Sequence, residues 1–304
     1  MSNKKTDNAI RNLFIEKIYN ICDGKKAEEV FLTYIKSDGT EEDITYRSFG
    51  LKCELLMQKF QKSMLRRNDR VLVLTPMSPF GCIAVTALAI SELVSVVLNP
   101  QLPEEELDSL VKKSDISGIV CDEEIYQKYA YKWTQKYPVL NIKTGDLFLD
   151  REYFSEPSKD SDDVLAILYS SGTTSEPKGV MITYEAQMKS AEFLLRAFGT
   201  NDIRYLLVFP MFHVSGFSVF FALFLGGGQI GLLENTNSIK LMDGFQKYKP
   251  NAFGMVPKVY ETFYTKIVSQ LNNKKFAMKM FSFCGWLNEK LHIKAGNFFF
   301  RKIK

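Results

Sequence analysis

The chain has 304 residues, 46% of them hydrophobic and 24% charged, with a formal net charge of +4. That balance excludes a disordered or fibrous chain and allows a large buried core in one or two domains. The positive charge belongs to one segment: residues 271–304 hold eight Lys/Arg against a single acid, Glu289, while the remainder carries more acids than bases.

The polar N-terminus lacks the apolar stretch of a secretory signal. Residues 9–20 show helical spacing through Ile10, Leu13, Phe14 and Ile18. Residues 29–34 read as a strand, followed by a turn at Ser37, Asp38 and Gly39. Residues 49–62 form an amphipathic pattern through Leu51, Leu55, Leu56 and Phe60, which predicts a helix. Strands at 71–74 and 94–98 flank an apolar helix at 79–91. A helix at 104–113 has acids in its first turn, where the helix dipole favours them. Ile119 and Val120 close this βαβ-like series. Alternating strands and helices predict an α/β fold of largely parallel strands with helices on the faces. Residues 137–161 read as an irregular polar link.

An apolar run, 164–169, then enters the segment Tyr169–Tyr184, YSSGTTSEPKGVMITY. Glycines let backbone approach a ligand closely, successive N–H groups and hydroxyls can cradle phosphate oxygens, and a lysine adds a point charge. The order is not that of a Walker A loop, because Lys178 precedes Gly179. On composition alone, a plain Ser/Thr/Gly turn is the favoured reading. A helix is predicted at 183–198. Residues 205–233 hold no Asp, Glu, Lys or Arg, a length that could cross a bilayer. Pro210, His213, Ser215, Gly216 and three consecutive glycines interrupt it. The better reading is a strand at 205–209, a loop, a helix at 217–225, a glycine turn and a strand at 229–233. Helices follow at 239–247 and 259–271.

The 169–184 string resembles the phosphate loop of the adenylate-forming superfamily, which includes acyl-CoA synthetases, luciferases and adenylation domains of peptide synthetases. It departs at Ser175, where the family has glycine, and at Tyr184, where it usually has histidine. Further segments resemble family elements: Thr45-Tyr46-Arg47-Ser48-Phe49, Asn68-Asp69-Arg70-Val71 (with Asn for Gly), Leu98-Asn99-Pro100, Pro210-Met211-Phe212-His213, Gly226-Gly227-Gly228 and Met255-Val256-Pro257. The resemblance runs from about residue 28 to the end. It implies an incomplete large N-terminal domain of the acyl-CoA synthetase type, with mostly parallel sheets flanked by helices. Residues 1–160 would form a first α/β subdomain. Residues 161–304 would carry the phosphate loop and part of a second, with a basic helical tail. The family's later aromatic-Gly-x-Thr-Glu segment, ribose-binding aspartate and C-terminal lysine have no counterpart before Lys304, so the resemblance implies the front part of a longer enzyme.

The resemblance also implies roles. Such enzymes join a carboxylate to ATP as an acyl-adenylate and pass the acyl group to a thiol, using ATP, Mg²⁺ and CoA. Ser170, Ser171, Gly172, Thr173, Thr174, Lys178 and Gly179 would bind the nucleotide, and Ser170 would join the Mg²⁺ shell. His213 would lie by the acyl pocket and the carboxylate as the catalytic histidine. Phe217 would act as an aromatic gate, or simply pack in the core. The last residues, Phe299-Phe300-Arg301-Lys302-Ile303-Lys304, resemble a string of long-chain acyl-CoA synthetases, which implies a fatty acid as the carboxylate. Alternatives within the resemblance are an adenylation module that loads a carrier protein, and a non-catalytic truncated remnant.

The tail interleaves its basic residues with Phe276, Met278, Met280, Phe281, Phe283 and Trp286. It reads either as a peripheral membrane contact through 271–304 or as a solvated helix packed on further chain. No nucleic-acid motif accompanies it, so no nucleic-acid partner is expected. Five widely spaced cysteines without a CxxC pair suggest reduced thiols in a cytoplasmic protein.

Overall fold

A computed structural model of the chain describes residues 2–63, 65–133, 136–137, 139–141, 147–148, 163–170, 177–199 and 202–255, with isolated positions at 257, 260, 261, 264, 265 and 283. The chain divides into two units, Met1–Gly254 and Met255–Lys304. In the second, all the isolated positions are helical. The rest of the expected 259–271 helix, and the basic tail apart from Phe283, lie outside the described residues.

The first unit opens with α1 (Ser2–Asp23), β1 (Val30–Ile35), β2 (Glu41–Thr45), α2 (Tyr46–Lys62), β3 (Arg70–Leu74), α3 (Pro79–Ile90), β4 (Val94–Val97), α4 (Glu104–Lys113) and β5 (Gly118–Cys121). Two single-turn helices, α5 (Glu123–Ile125) and α6 (Tyr131–Trp133), flank a π turn and lead to β6 (Val139–Asn141) and β7 (Leu147–Phe148). Then come β8 (Val164–Tyr169), β9 (Gly179–Thr183), α7 (Tyr184–Phe198), β10 (Arg204–Leu207), α8 (Val214–Gly226), β11 (Gln229–Leu233), α9 (Ser238–Tyr248) and β12 (Ala252–Phe253).

The strands form two sheets, a five-stranded one ordered β12-β10-β11-β1-β2 and a seven-stranded one ordered β7-β6-β5-β3-β4-β8-β9. Pairing is parallel except for β1/β2, β6/β7 and β8/β9. Both sheets draw strands from either side of residue 160: β8 joins β4, and β1 joins β11. Successive side chains of a strand point to opposite faces. Val71 and Val73 of β3 therefore enter one core with α1, α2, α3, α7, α8 and the five-stranded sheet, while Leu72 and Leu74 enter a second core with α4. The result is a layered α/β architecture in which one group of helices is shared between two sheets. Burial on both faces explains the continuous apolar strands.

Several motif residues have plain structural reasons. Thr45 caps α2 by accepting from the Ser48 N–H at 3.2 Å, and Thr183 caps α7 by accepting from Ala186 at 3.0 Å. Each is followed by a buried tyrosine that donates to a distant carbonyl: Tyr46 to Gly228 at 2.6 Å and Tyr184 to Ala89 at 3.0 Å. Asn68 has φ +67°, a left-handed conformation open to Asn as well as Gly, which explains the Asn-for-Gly departure. Gly227 ends α8 with φ +74°.

The structure also corrects the sequence reading. Residues 179–183 are a strand rather than loop, and Glu41–Thr45 forms a strand that the sequence reading passed over. The link at 137–161 contains β6 and β7, which extend the seven-stranded sheet. Helix α8 begins at Val214, three residues before the expected start. Its residues Gly216, Phe217 and Val219 to Phe224 are buried, which makes it a core helix. Among the described residues no helix is long and apolar enough to cross a membrane.

Candidate functional site

β8 and β9 lie side by side at one end of the seven-stranded sheet. β8 and β9 pair antiparallel from Val164↔Thr183 to Tyr169↔Gly179. One step further, the Ser170 N–H donates to the Lys178 carbonyl at 3.0 Å. The Ser170 hydroxyl lies 3.4 Å from the Lys178 N–H and 3.5 Å from the Lys178 carbonyl. Those two hydroxyl contacts are long and weak, and Ser170 and Lys178 are both exposed, so hydroxyl and ammonium remain available to a ligand. The hairpin thus brings Ser170 and Lys178 together at the C-terminal end of β8, where ligands bind in open parallel sheets. Ser171, Gly172, Thr173, Thr174 and the departing Ser175 lie outside the described residues.

Gly179 has a packing role. A Cβ there would stand 3.1 Å from Ile167 Cγ2 and 3.3 Å from Tyr169 Cζ, so the Tyr169 ring covers the glycine across the strand pair. The Tyr169 hydroxyl lies 2.9 Å from Ser114 Oγ. Lys113 Nζ donates to the Pro177 carbonyl at 3.1 Å. The hairpin is therefore tied to the C-terminal end of α4 on both sides of the loop.

His213 stands elsewhere, at the N-terminus of α8 after the C-terminal end of β10. Its side chain is exposed, makes no capping bond, and lies against Phe212 with ring centroids 4.7 Å apart. The turn before it folds back, with the His213 N–H donating to Pro210 O at 3.0 Å. Only glycine fits at 216, because a Cβ would fall 2.2 Å from Pro210 O and 2.6 Å from Phe209 O. Among the described residues, no hydrogen bond or ion pair joins His213 to Ser170 or Lys178. Phe217 is fully buried and packs edge-on against Phe221 at 5.0 Å, which places it in the core and not at a gate.

Tyr184, at the family's histidine position, is buried against Phe14, and Arg11 lies over its ring at 5.2 Å. Burial pushes its hydroxyl pKa up, with the Arg11 charge opposing. Arg11, itself buried, pairs with Glu92 at 3.1 Å and donates to Asn68 Oδ1 at 3.2 Å. Tyr184 thus anchors helices and presents no group to a ligand. Among the described residues no group of three or more His, Cys, Asp or Glu side chains could hold a metal ion. Mg²⁺ commonly rides on substrate phosphates and water with few protein ligands, so a lone Ser170 hydroxyl is chemically compatible with a Mg²⁺–nucleotide complex.

The chain is similar to known proteins in sequence and in fold. A family model described as AMP-binding enzyme matches residues 22–301. The chain is 24% identical over 239 residues to 4-coumarate–CoA ligase 2 of Petroselinum crispum, covering 72% of this chain and 43% of that protein. It is 23% identical over 302 residues to fatty acyl-CoA synthetase A of Dictyostelium discoideum, covering 90% of this chain and 45% of the relative. The fold matches that of O-succinylbenzoate coenzyme A synthetase from Bacillus subtilis in complex with ATP and magnesium ion. The TM-score is 0.67 at 17% identity, over 82% of this chain and 65% of that one. The chain thus spans less than half the length of these two curated relatives.

Proposed function

The chain belongs to the AMP-binding enzyme family, and on that premise we propose that it forms the nucleotide-binding front part of an ATP-dependent acid–thiol ligase. A carboxylate oxygen attacks the α-phosphorus of ATP, the bond to the pyrophosphate leaving group breaks, and an acyl-adenylate forms. The thiol of CoA then attacks the acyl carbonyl, and AMP departs. Ser170 and Lys178, with Ser171, Gly172, Thr173 and Thr174 between them, bind the β- and γ-phosphates. The lysine ammonium offsets charge that builds on the departing pyrophosphate, the kind of positioned electrostatic help that phosphoryl chemistry depends on. Mg²⁺ would be held with the phosphates at Ser170 and would screen their charge. His213 orients the carboxylate.

One observation carries the reading: the β8–β9 hairpin clasps the loop's two ends, Ser170 and Lys178, at the C-terminal end of a parallel strand. The acid we favour is a long-chain fatty acid. The 299–304 string and the likeness to the fatty acyl-CoA synthetase over 90% of this chain support it, although the coumarate enzyme shows that relatives differ in substrate. The membrane-contact reading of 271–304 suits such an apolar acid.

Titration of the 304-residue protein with MgATP in a calorimeter tests the nucleotide assignment. Saturable binding that Lys178→Ala weakens is expected, and no saturable binding overturns it. Acid-dependent exchange between pyrophosphate and ATP, in protein expressed from the whole reading frame, ranks palmitate against coumarate and succinylbenzoate. Preference for an aryl acid overturns the fatty-acid assignment. Transfer to a carrier protein in preference to CoA would point to an adenylation module.

A further inference from the structure

Resting on the nucleotide-binding reading above, we infer that Ser114 and Lys113, at the C-terminal end of α4, are positioning residues that set the phosphate loop for its ligand. The Ser114 hydroxyl donates its one proton to the Leu110 carbonyl at 2.6 Å, so at 2.9 Å the Tyr169 hydroxyl is the donor and Ser114 Oγ the acceptor. The Ser114 carbonyl accepts from Arg70 Nη1 at 3.0 Å, and Ser114 is only 2% exposed. A relay therefore runs from the Asn-Asp-Arg-Val segment at the start of β3, through Ser114, to the residue that enters the loop. On the other side of the loop, Lys113 Nζ donates to the carbonyl of Pro177, the residue just before Lys178, at 3.1 Å.

The two bonds act on Tyr169 and Pro177, one on each arm of the β8–β9 pair. The hairpin fixes how far apart its ends lie, and α4 fixes how those ends are placed against the sheet. Holding both arms before the ligand arrives removes ordering entropy that binding would otherwise have to supply. The contacts span 55 and 64 residues of sequence, so they belong to the tertiary fold. Ser114 and Lys113 act through the loop, and nothing assigns either to the ligand itself.

The test uses the 304-residue protein and two readouts. Hydrogen exchange, followed by mass spectrometry on peptides covering residues 169–179 without nucleotide, reports the loop. Calorimetry with MgATP reports affinity. Tyr169→Phe removes the Ser114 bond while keeping the ring over Gly179, and it stands in if the buried Ser114→Ala does not fold. Each is expected to speed exchange in this peptide and to weaken MgATP about fivefold, the effect of losing one ordinary hydrogen bond, with the melting temperature lowered by only a few degrees. Lys113→Ala should act in the same direction, and Lys113→Arg, which keeps a donor, should restore wild-type values. Wild-type exchange and affinity in Tyr169→Phe and Lys113→Ala overturn the inference. If the unsubstituted protein binds no MgATP, the nucleotide assignment falls, and the exchange data alone decide whether α4 positions the loop.

Discussion

The aromatic core between the two sheets and the hairpin on the outer edge of the seven-stranded sheet are built on opposite plans. In the core, Phe31, Tyr46, Phe49, Phe220 and Phe224 are all fully buried, with ring centroids 4.8–6.3 Å apart. At the hairpin, Ser170, Lys178 and Gly179 are exposed, and a few hydrogen bonds hold the loop ends. Packing supplies stability because each buried ring adds transfer and dispersion energy. A binding loop gains from the reverse arrangement, since groups already satisfied by the protein have nothing to give a ligand. Substitutions in the core should therefore unfold the protein, while substitutions at the hairpin should change binding and leave the fold intact.

The strongest test of that contrast is Phe224→Ala. Its ring touches four others, so the loss should be about 3–5 kcal/mol, read from the midpoint of denaturant unfolding. A loss under about 1 kcal/mol would mean that the core relaxes around the cavity and that the contrast is overstated. Gly216→Ala comes next. The added methyl meets Pro210 and Phe209 carbonyls below 3 Å, and the strain should cost about 1–3 kcal/mol. Because the same turn carries His213, the variant should also impair acid-dependent exchange in the whole enzyme, a double effect that separates this position from a pure core residue.

Thiol titration compares the cores on the two faces of the seven-stranded sheet. Burial pushes both Cys82, on the inner side, and Cys121, on the outer side, from 9.0 up to about 12. Above pH 9 the unfolded thiols lose protons that the folded ones keep. Their contribution to stability is therefore whole below pH 9 and falls towards pH 12, by about 1.4 kcal/mol per pH unit for each thiol. Denaturant midpoints across this window in Cys82→Ala and Cys121→Ala should show a shallower decline than in the parent. An unchanged slope in either would show that face to be open to water. Tyr184→Phe should cost about 1 kcal/mol through its lost bond to Ala89, seen in thermal unfolding, with MgATP affinity unaltered. A drop in affinity there would bring Tyr184 into the site. The smallest effect on folding belongs to Lys178→Ala, within about 0.5 kcal/mol, while MgATP affinity should fall on the order of tenfold for a lost charge-assisted contact. A large stability loss with unaltered affinity would reverse the plan at the hairpin.

Much of this protein was legible from local sequence. The α/β alternation, the glycine turn after α8 and the segment between β8 and α7 all follow from residues near one another, because helix periodicity and φ freedom are local effects. Other features had no local signal. Val180 and Met181 of β9 are exposed and do not alternate with buried neighbours, so only pairing with β8 makes that stretch a strand. Phe217 could be read as gate or core until α8 was placed between the sheets. The ties from Ser114 to Tyr169 and from Lys113 to Pro177 join residues that merely look like the polar end of a helix and the edges of a turn. Such contacts are decided by where the β3–β4–β8 register carries distant segments, and strand order depends on long-range hydrogen bonding that no short stretch of sequence encodes.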